Sequence, residues 1–110
     1  MQENLPHPVE RFKDDYPEVW RAFNYLGDEC HNAGTLDERT RRIAKITLAV
    51  GAGLEGGTHS AVRNALAAGI APEEIKHVAI LSITTLGFPE AMRALTWIGD
   101  CLSPEDDSTK

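Results

Sequence analysis

The stretch Ile75-Lys76-His77-Val78-Ala79-Ile80-Leu81-Ser82-Ile83-Thr84-Thr85-Leu86-Gly87-Phe88 decides how this chain folds. It is rich in Val, Ile and Thr, as a buried β-strand would be, and periodicity alone does not separate helix from strand in a short apolar run. Its beginning and its length separate them. Ala71-Pro72-Glu73-Glu74 puts a proline and two acids where a helix N-terminus accommodates them best, and the run exceeds the roughly 4–8 residues of an ordinary strand. A helix is therefore expected here, apolar on nearly every side. Such a helix belongs inside a larger assembly. A chain of 110 residues has too much surface for its volume to enclose it alone, so the protein is expected to be an oligomer.

Working outward, the flanking segments give a series of amphipathic helices. Pro17 suits a first helical turn, and Val19, Trp20, Phe23, Leu26 and Cys30 follow at helical spacing, with Gly34 as a stop. Asp37 is the expected N-cap of the next helix, which carries Ile43, Ile46, Leu48 and Val50 up to the Gly51-Ala52-Gly53 break. A further helix over about Glu55–Ala68 ends at Gly69, a C′ glycine. Gly87-Phe88-Pro89 then closes the decisive stretch and opens a last helix with Ala91, Met92, Leu95, Ile98 and Leu102. No strand alternation and no repeat is present. The fold class is all-α: a bundle of about five to six helices over residues 17–102, preceded by an N-terminal arm (1–16) with one short turn around Val9–Lys13, and followed by a polar tail (103–110).

Composition narrows the function. The chain is 42% hydrophobic and 25% charged, as in ordinary globular domains, with mean hydropathy -0.29. Eleven Lys and Arg against seventeen Asp and Glu give a net charge of -6, which offers no footprint for a phosphate backbone. No nucleic-acid partner is expected. No apolar run reaches the ~20 residues of a membrane helix, and the first residues lack the basic-then-apolar pattern of a signal peptide, so a cytoplasmic protein without a membrane partner is expected. Cys30 and Cys101 form neither a CxxC nor a disulfide scaffold, and Cys30 shares a helical face with Phe23 and Leu26, as a core cysteine would.

The strongest chemical motif is Glu55-Gly56-Gly57-Thr58-His59. Four residues apart on a helix, Glu55 and His59 share a face. A carboxylate beside an imidazole orients it and favours its protonated form, which suits proton transfer near neutral pH. Two glycines in the first turn each cost about 1 kcal/mol of helix propensity, so they point either to close approach by a neighbouring backbone or a substrate, or to a loop preceding the helix. Thr58 flanks His59 on another face, and Arg63 lies one turn on. Lys45, within Ile43-Ala44-Lys45-Ile46, has apolar neighbours that would desolvate its amine. His77 lies one turn into the apolar helix, as a partly buried interface histidine would. The expected site thus has Glu55, His59 and Lys45 as catalytic residues and Thr58, Arg63 and His77 as substrate contacts. The four histidines are scattered and a single E-x-x-x-H is half a metal site, so neither metal nor other cofactor is expected. Arg39, Arg41 and Arg42 follow Asp37 and Glu38 and read as a solvated helix face.

Taken in order, Leu36-Asp37-Glu38-Arg39-Thr40-Arg41-Arg42-Ile43, Glu55-x-x-x-His59, Ala65-Leu66-Ala67-Ala68-Gly69-Ile70-Ala71-Pro72-Glu73-Glu74-Ile75 and Gly87-Phe88-Pro89 with its Ala-rich helix resemble the carboxymuconolactone decarboxylase family, which includes alkyl hydroperoxidase D. The likeness runs from about Tyr16 to Leu102. It implies an all-helical bundle assembling as a homotrimer or homohexamer. The hydroperoxidase branch carries a CxxC with a histidine four residues after the second cysteine. Counted back from His59, those positions are Ala52 and Glu55, so the resemblance does not extend to thiol peroxidase chemistry. The decarboxylase branch resembles this chain in keeping a Glu four residues before the His. It implies a lyase acting on a small anionic acid, with Glu55 and His59 protonating the carbon left as CO2 departs. The remaining alternatives are a peroxiredoxin-like protein using Cys30 or Cys101, and a non-catalytic ligand-binding module.

Overall fold

The computed structural model describes residues 7–104 and shows six helices, with no strand among the described residues. They are α1 (His7–Asp15), α2 (Pro17–His31), α3 (Glu38–Gly51), α4 (Glu55–Ala67), α5 (Pro72–Leu86) and α6 (Phe88–Asp100). The chain divides into two compact units, with the boundary between Leu36 and Asp37. The all-α expectation holds, and the stretch from Ile75 is helical up to Leu86.

In the first unit α1 packs on α2. The short turn expected around Val9–Lys13 is a helix of nine residues. Phe12 and Tyr16 stack at 5.3 Å between ring centroids, and Trp20 and Phe23 at 6.2 Å. Pro17 occupies the first turn of α2 as its geometry requires. That helix stops before Gly34, because Asn32 closes it: both its backbone N–H and its side-chain amide donate to the Asp28 carbonyl. Val19, Phe23, Tyr25 and Leu26 are exposed. Cys30 is exposed too, against its expected place in a core. The helical register was right, but the face it marks is not buried within the chain.

The second unit holds the hydrophobic core. α3 pairs with α4 and α5 with α6, and α3–α5 and α4–α6 contacts close the bundle. Ile46, Val50, Val62, Ala65, Ile75, Ala79, Ala94 and Ile98 form one buried cluster. Each fully buried Ile contributes about 1.5–3 kcal/mol relative to exposure. Along α5, Ile75, Val78, Ala79 and Ser82 are buried, a stripe at i, i+3, i+4 and i+7. The opposite residues Ile80 and Leu81 are exposed, at 48% and 61%. The chain thus covers one face of this helix and leaves the other uncovered.

The helix ends follow the local chemistry. Asp37 accepts a hydrogen bond from the Thr40 amide at 2.8 Å and caps α3. Gly53, Gly69 and Gly87 have φ of 69°, 90° and 107°, in the region that only glycine enters without strain, and each lies at a break between helices. The Glu74 carboxylate reaches back to the Ala71 N–H at 3.3 Å, and it also pairs with Arg39, tying α5 to the start of α3. Arg41 and Arg42 both pair with Glu38, but their side chains are half-buried, at 21% and 27% exposure, rather than on the solvated face expected.

The hydrogen bond from the Thr40 amide, the Thr40 side chain and then the nearby Arg41 and Arg39 charges together lower the Asp37 carboxyl below its ordinary value of 3.8. A carboxyl depressed on folding stabilises the protein above its unfolded value, and that contribution is lost as pH falls through the folded one. Asp37→Ala should therefore lower the thermal midpoint at pH 7, with the deficit against wild type shrinking as the pH drops below about 3.8. Melting curves across that range check it; a deficit independent of pH would contradict the cap.

Candidate functional site

The first turns of α4 and the last turn of α6 come together in the second unit. Glu55 and His59 lie one turn apart on α4, and Asp100, the last residue of α6, faces them. His59 Nε2 lies 3.0 Å from Asp100 Oδ2, and ligand-type atoms of Glu55, His59 and Asp100 all fall within 4.8 Å of one another. The His59 side chain is 24% exposed and that of Asp100 49%, so the cluster is open to solvent on one side while its ring rests against the bundle. The shared face of Glu55 and His59 is what the four-residue spacing predicts. Asp100 is the member that sequence reasoning missed. It lies 41 residues from His59 in a plain Gly-Asp-Cys segment, and no local pattern marks it.

A second contact holds the two helix ends together. The Cys101 thiol donates to the His59 carbonyl at 3.6 Å. Burial pushes this thiol above its ordinary value, while the charge of the nearby Arg63 guanidinium pulls in the opposite direction. Arg63 is therefore next to the Asp100–Cys101 step, and Glu55, His59 and Arg63 form one row along α4, at i, i+4 and i+8. A raised value keeps Cys101 protonated at neutral pH and makes it a poor nucleophile.

The other expected site residues have different surroundings. Lys45 is exposed on α3 rather than enclosed by its apolar sequence neighbours, because Ile43 and Ile46 turn to the core and it does not. His77 is exposed on α5, on a different face from the buried Ile75, Val78 and Ala79, and was expected to be partly covered. Thr58 is completely buried, with no hydrogen-bond partner for its hydroxyl, on the core side of α4. Substrate approaching the Glu55–His59 face does not reach it without movement of the helix. Gly57 has a local reason: a Cβ there would lie 3.2 Å from Leu54 Cβ, closer than most Cβ contacts, so Leu54 would have to shift by a few tenths of an ångström to admit one. At Gly56 a Cβ would meet nothing within 4 Å, leaving open space beside Glu55.

The family model described as Carboxymuconolactone decarboxylase family matches residues 17–100. The chain belongs to that family. The match begins at α2 and ends at Asp100, so all three members of the cluster fall within it. No curated protein and no solved structure matches the chain. No CxxC precedes His59, where Ala52 and Glu55 stand seven and four residues before it, and the groups that gather at its ring are carboxylates. No helix among the described residues is long and apolar enough to cross a membrane.

The two cysteines should respond differently to alkylation. In the native protein at pH 8, iodoacetamide should label exposed Cys30 well before half-buried Cys101, and the difference should vanish in guanidinium chloride. Mass spectrometry of timed digests reads it directly; equal native rates would show that Cys101 is not held as described.

Proposed function

We propose that this family member is a carboxy-lyase acting on a small anionic acid, with His59 as the proton donor. The observation that carries this reading is the convergence of Glu55, His59 and Asp100 from two helices, with Arg63 one turn further along. In a decarboxylation the bond to the departing carboxylate breaks, its electron pair stays on carbon and delocalises into an adjacent carbonyl, and that carbon then takes a proton. An imidazole with the Asp100 carboxylate at 3.0 Å and Glu55 one turn away suits the last step, because the carboxylate orients the ring that carries the proton. His59 would give up the proton and regain one from solvent, to which the cluster is open. Arg63 would hold a second carboxylate of the substrate, as a guanidinium does through paired N–H donors. What supports that role is its place on the same row of α4 as Glu55 and His59, near Cys101. Lys45, Thr58 and His77 carry no role in this reading.

Self-assembly is part of the same proposal. The apolar side chains of Val19, Phe23 and Leu26 on α2 and of Ile80 and Leu81 on α5 are exposed in the isolated chain, and a homotrimer or homohexamer would cover them.

A panel of small dicarboxylic acids screened by thermal shift should yield one that stabilises wild type and not His59→Ala or Arg63→Ala, since binding to the native state raises its stability by mass action. Release of CO2 from that acid should fall by about 10²–10⁴-fold in His59→Gln. Equal stabilisation of all three proteins would move the ligand elsewhere, and unchanged CO2 release would remove His59 from the chemistry. Light scattering coupled to gel filtration should give a mass of several subunits for wild type and a smaller one for Leu81→Glu; a wild-type monomer would end the assembly proposal.

A further inference from the structure

A lone E-x-x-x-H is half a metal site, and the fold supplies the other half. Among the described residues, Glu55, His59 and Asp100 offer one imidazole nitrogen and two carboxylate oxygens that lie within 4.8 Å of one another. A first-row divalent ion binds such atoms at about 2.0–2.2 Å, which places neighbouring ligand atoms about 3 Å apart. The His59 Nε2 to Asp100 Oδ2 separation is 3.0 Å, so one edge of a coordination polyhedron is already formed. Glu55 closes the triangle by turning an exposed carboxylate on a flexible stem. Asp100 is placed by the end of α6, itself tied to α4 through the Cys101 thiol and the His59 carbonyl.

We propose that Glu55, His59 and Asp100 form a three-ligand site for a divalent cation of the zinc–manganese class. One nitrogen and two hard oxygens suit Zn2+, Mn2+ or Fe2+; a soft ion would want thiolate, and Mg2+ or Ca2+ would want oxygens throughout. Three protein ligands leave positions open to solvent, and the space above Gly56 has no side chain in it. The charge argument points the same way. Two carboxylates at a site proposed for an anionic acid repel it, in a chain whose net charge is already -6. A bound dication reverses the local sign and adds to the pull of Arg63. Cation and proton then compete for the same atom, His59 Nε2, and the metal-bound ring carries its proton on Nδ1. The inference uses the cluster of the lyase reading but not its turnover.

Isothermal titration of chelator-treated protein with zinc chloride, and separately with manganese chloride, tests it. One equivalent per chain should bind, with affinity lowered at least about tenfold in each of His59→Ala, Asp100→Asn and Glu55→Gln, and unchanged in His77→Ala. Asp100→Asn and Glu55→Gln keep side-chain size, and their circular dichroism and melting curves confirm folding. Manganese should also broaden the His59 ring resonances selectively. Absence of saturable binding, or binding of both ions that survives all three substitutions, overturns the proposal. CO2 release is measured separately on chelator-treated and on metal-reloaded protein: release without any metal binding would leave the lyase reading standing and remove the metal, and metal binding with no release in either form would do the reverse.

Discussion

The packing of α4 against α6 is the contact on which the site depends. Both helices bring small side chains to the core, Ala61 and Ala65 from one and Ala91 and Ala94 from the other, all nearly or fully buried. Small residues let helix axes approach closely and leave little freedom in how they sit, because interiors are packed without slack. Ile98 and Val62, both fully buried, are locked into the same cluster. With the helices held this way, the last residue of α6 arrives opposite the first turns of α4.

That geometry explains why the cluster is open yet ordered. Glu55 stands in the first turn of α4 and Asp100 in the last turn of α6, so both carboxylates sit at helix ends, where backbone groups are free to meet solvent. His59, a turn further in, is the most covered of the three and has one neighbour in the fold for each side of its function: Asp100 at the ring, Cys101 at its carbonyl. The cysteine that might have suggested redox chemistry instead has a structural contact, and its burial keeps it protonated.

Much of the fold was legible because its signals are local. Pro17, Asp37, Pro72 and Gly87 act on the backbone within one turn, and they mark helix ends where the structure has them. Less legible was which apolar face each helix buries. Cys30 kept its register but lies on a face that the chain does not cover, and an α5 apolar on nearly every side gave no sign of which face the chain would cover. Lys45 shows the same limit from the other side. Apolar neighbours in sequence point in other directions around a helix, so they do not desolvate it.

By itself, then, the sequence determined an acidic all-α protein, the ends of its main helices, its family, and a shared face for Glu55 and His59, since each of these follows from composition, spacing or chemistry within a turn. Only the tertiary structure decided that Asp100 completes the cluster, that Arg63 lies beside its neighbour Cys101, and that Thr58 faces the core. The reason is distance along the chain. A contact across 41 residues is set by how two helices pack, and helix packing is settled by the whole core rather than by any segment that takes part in it.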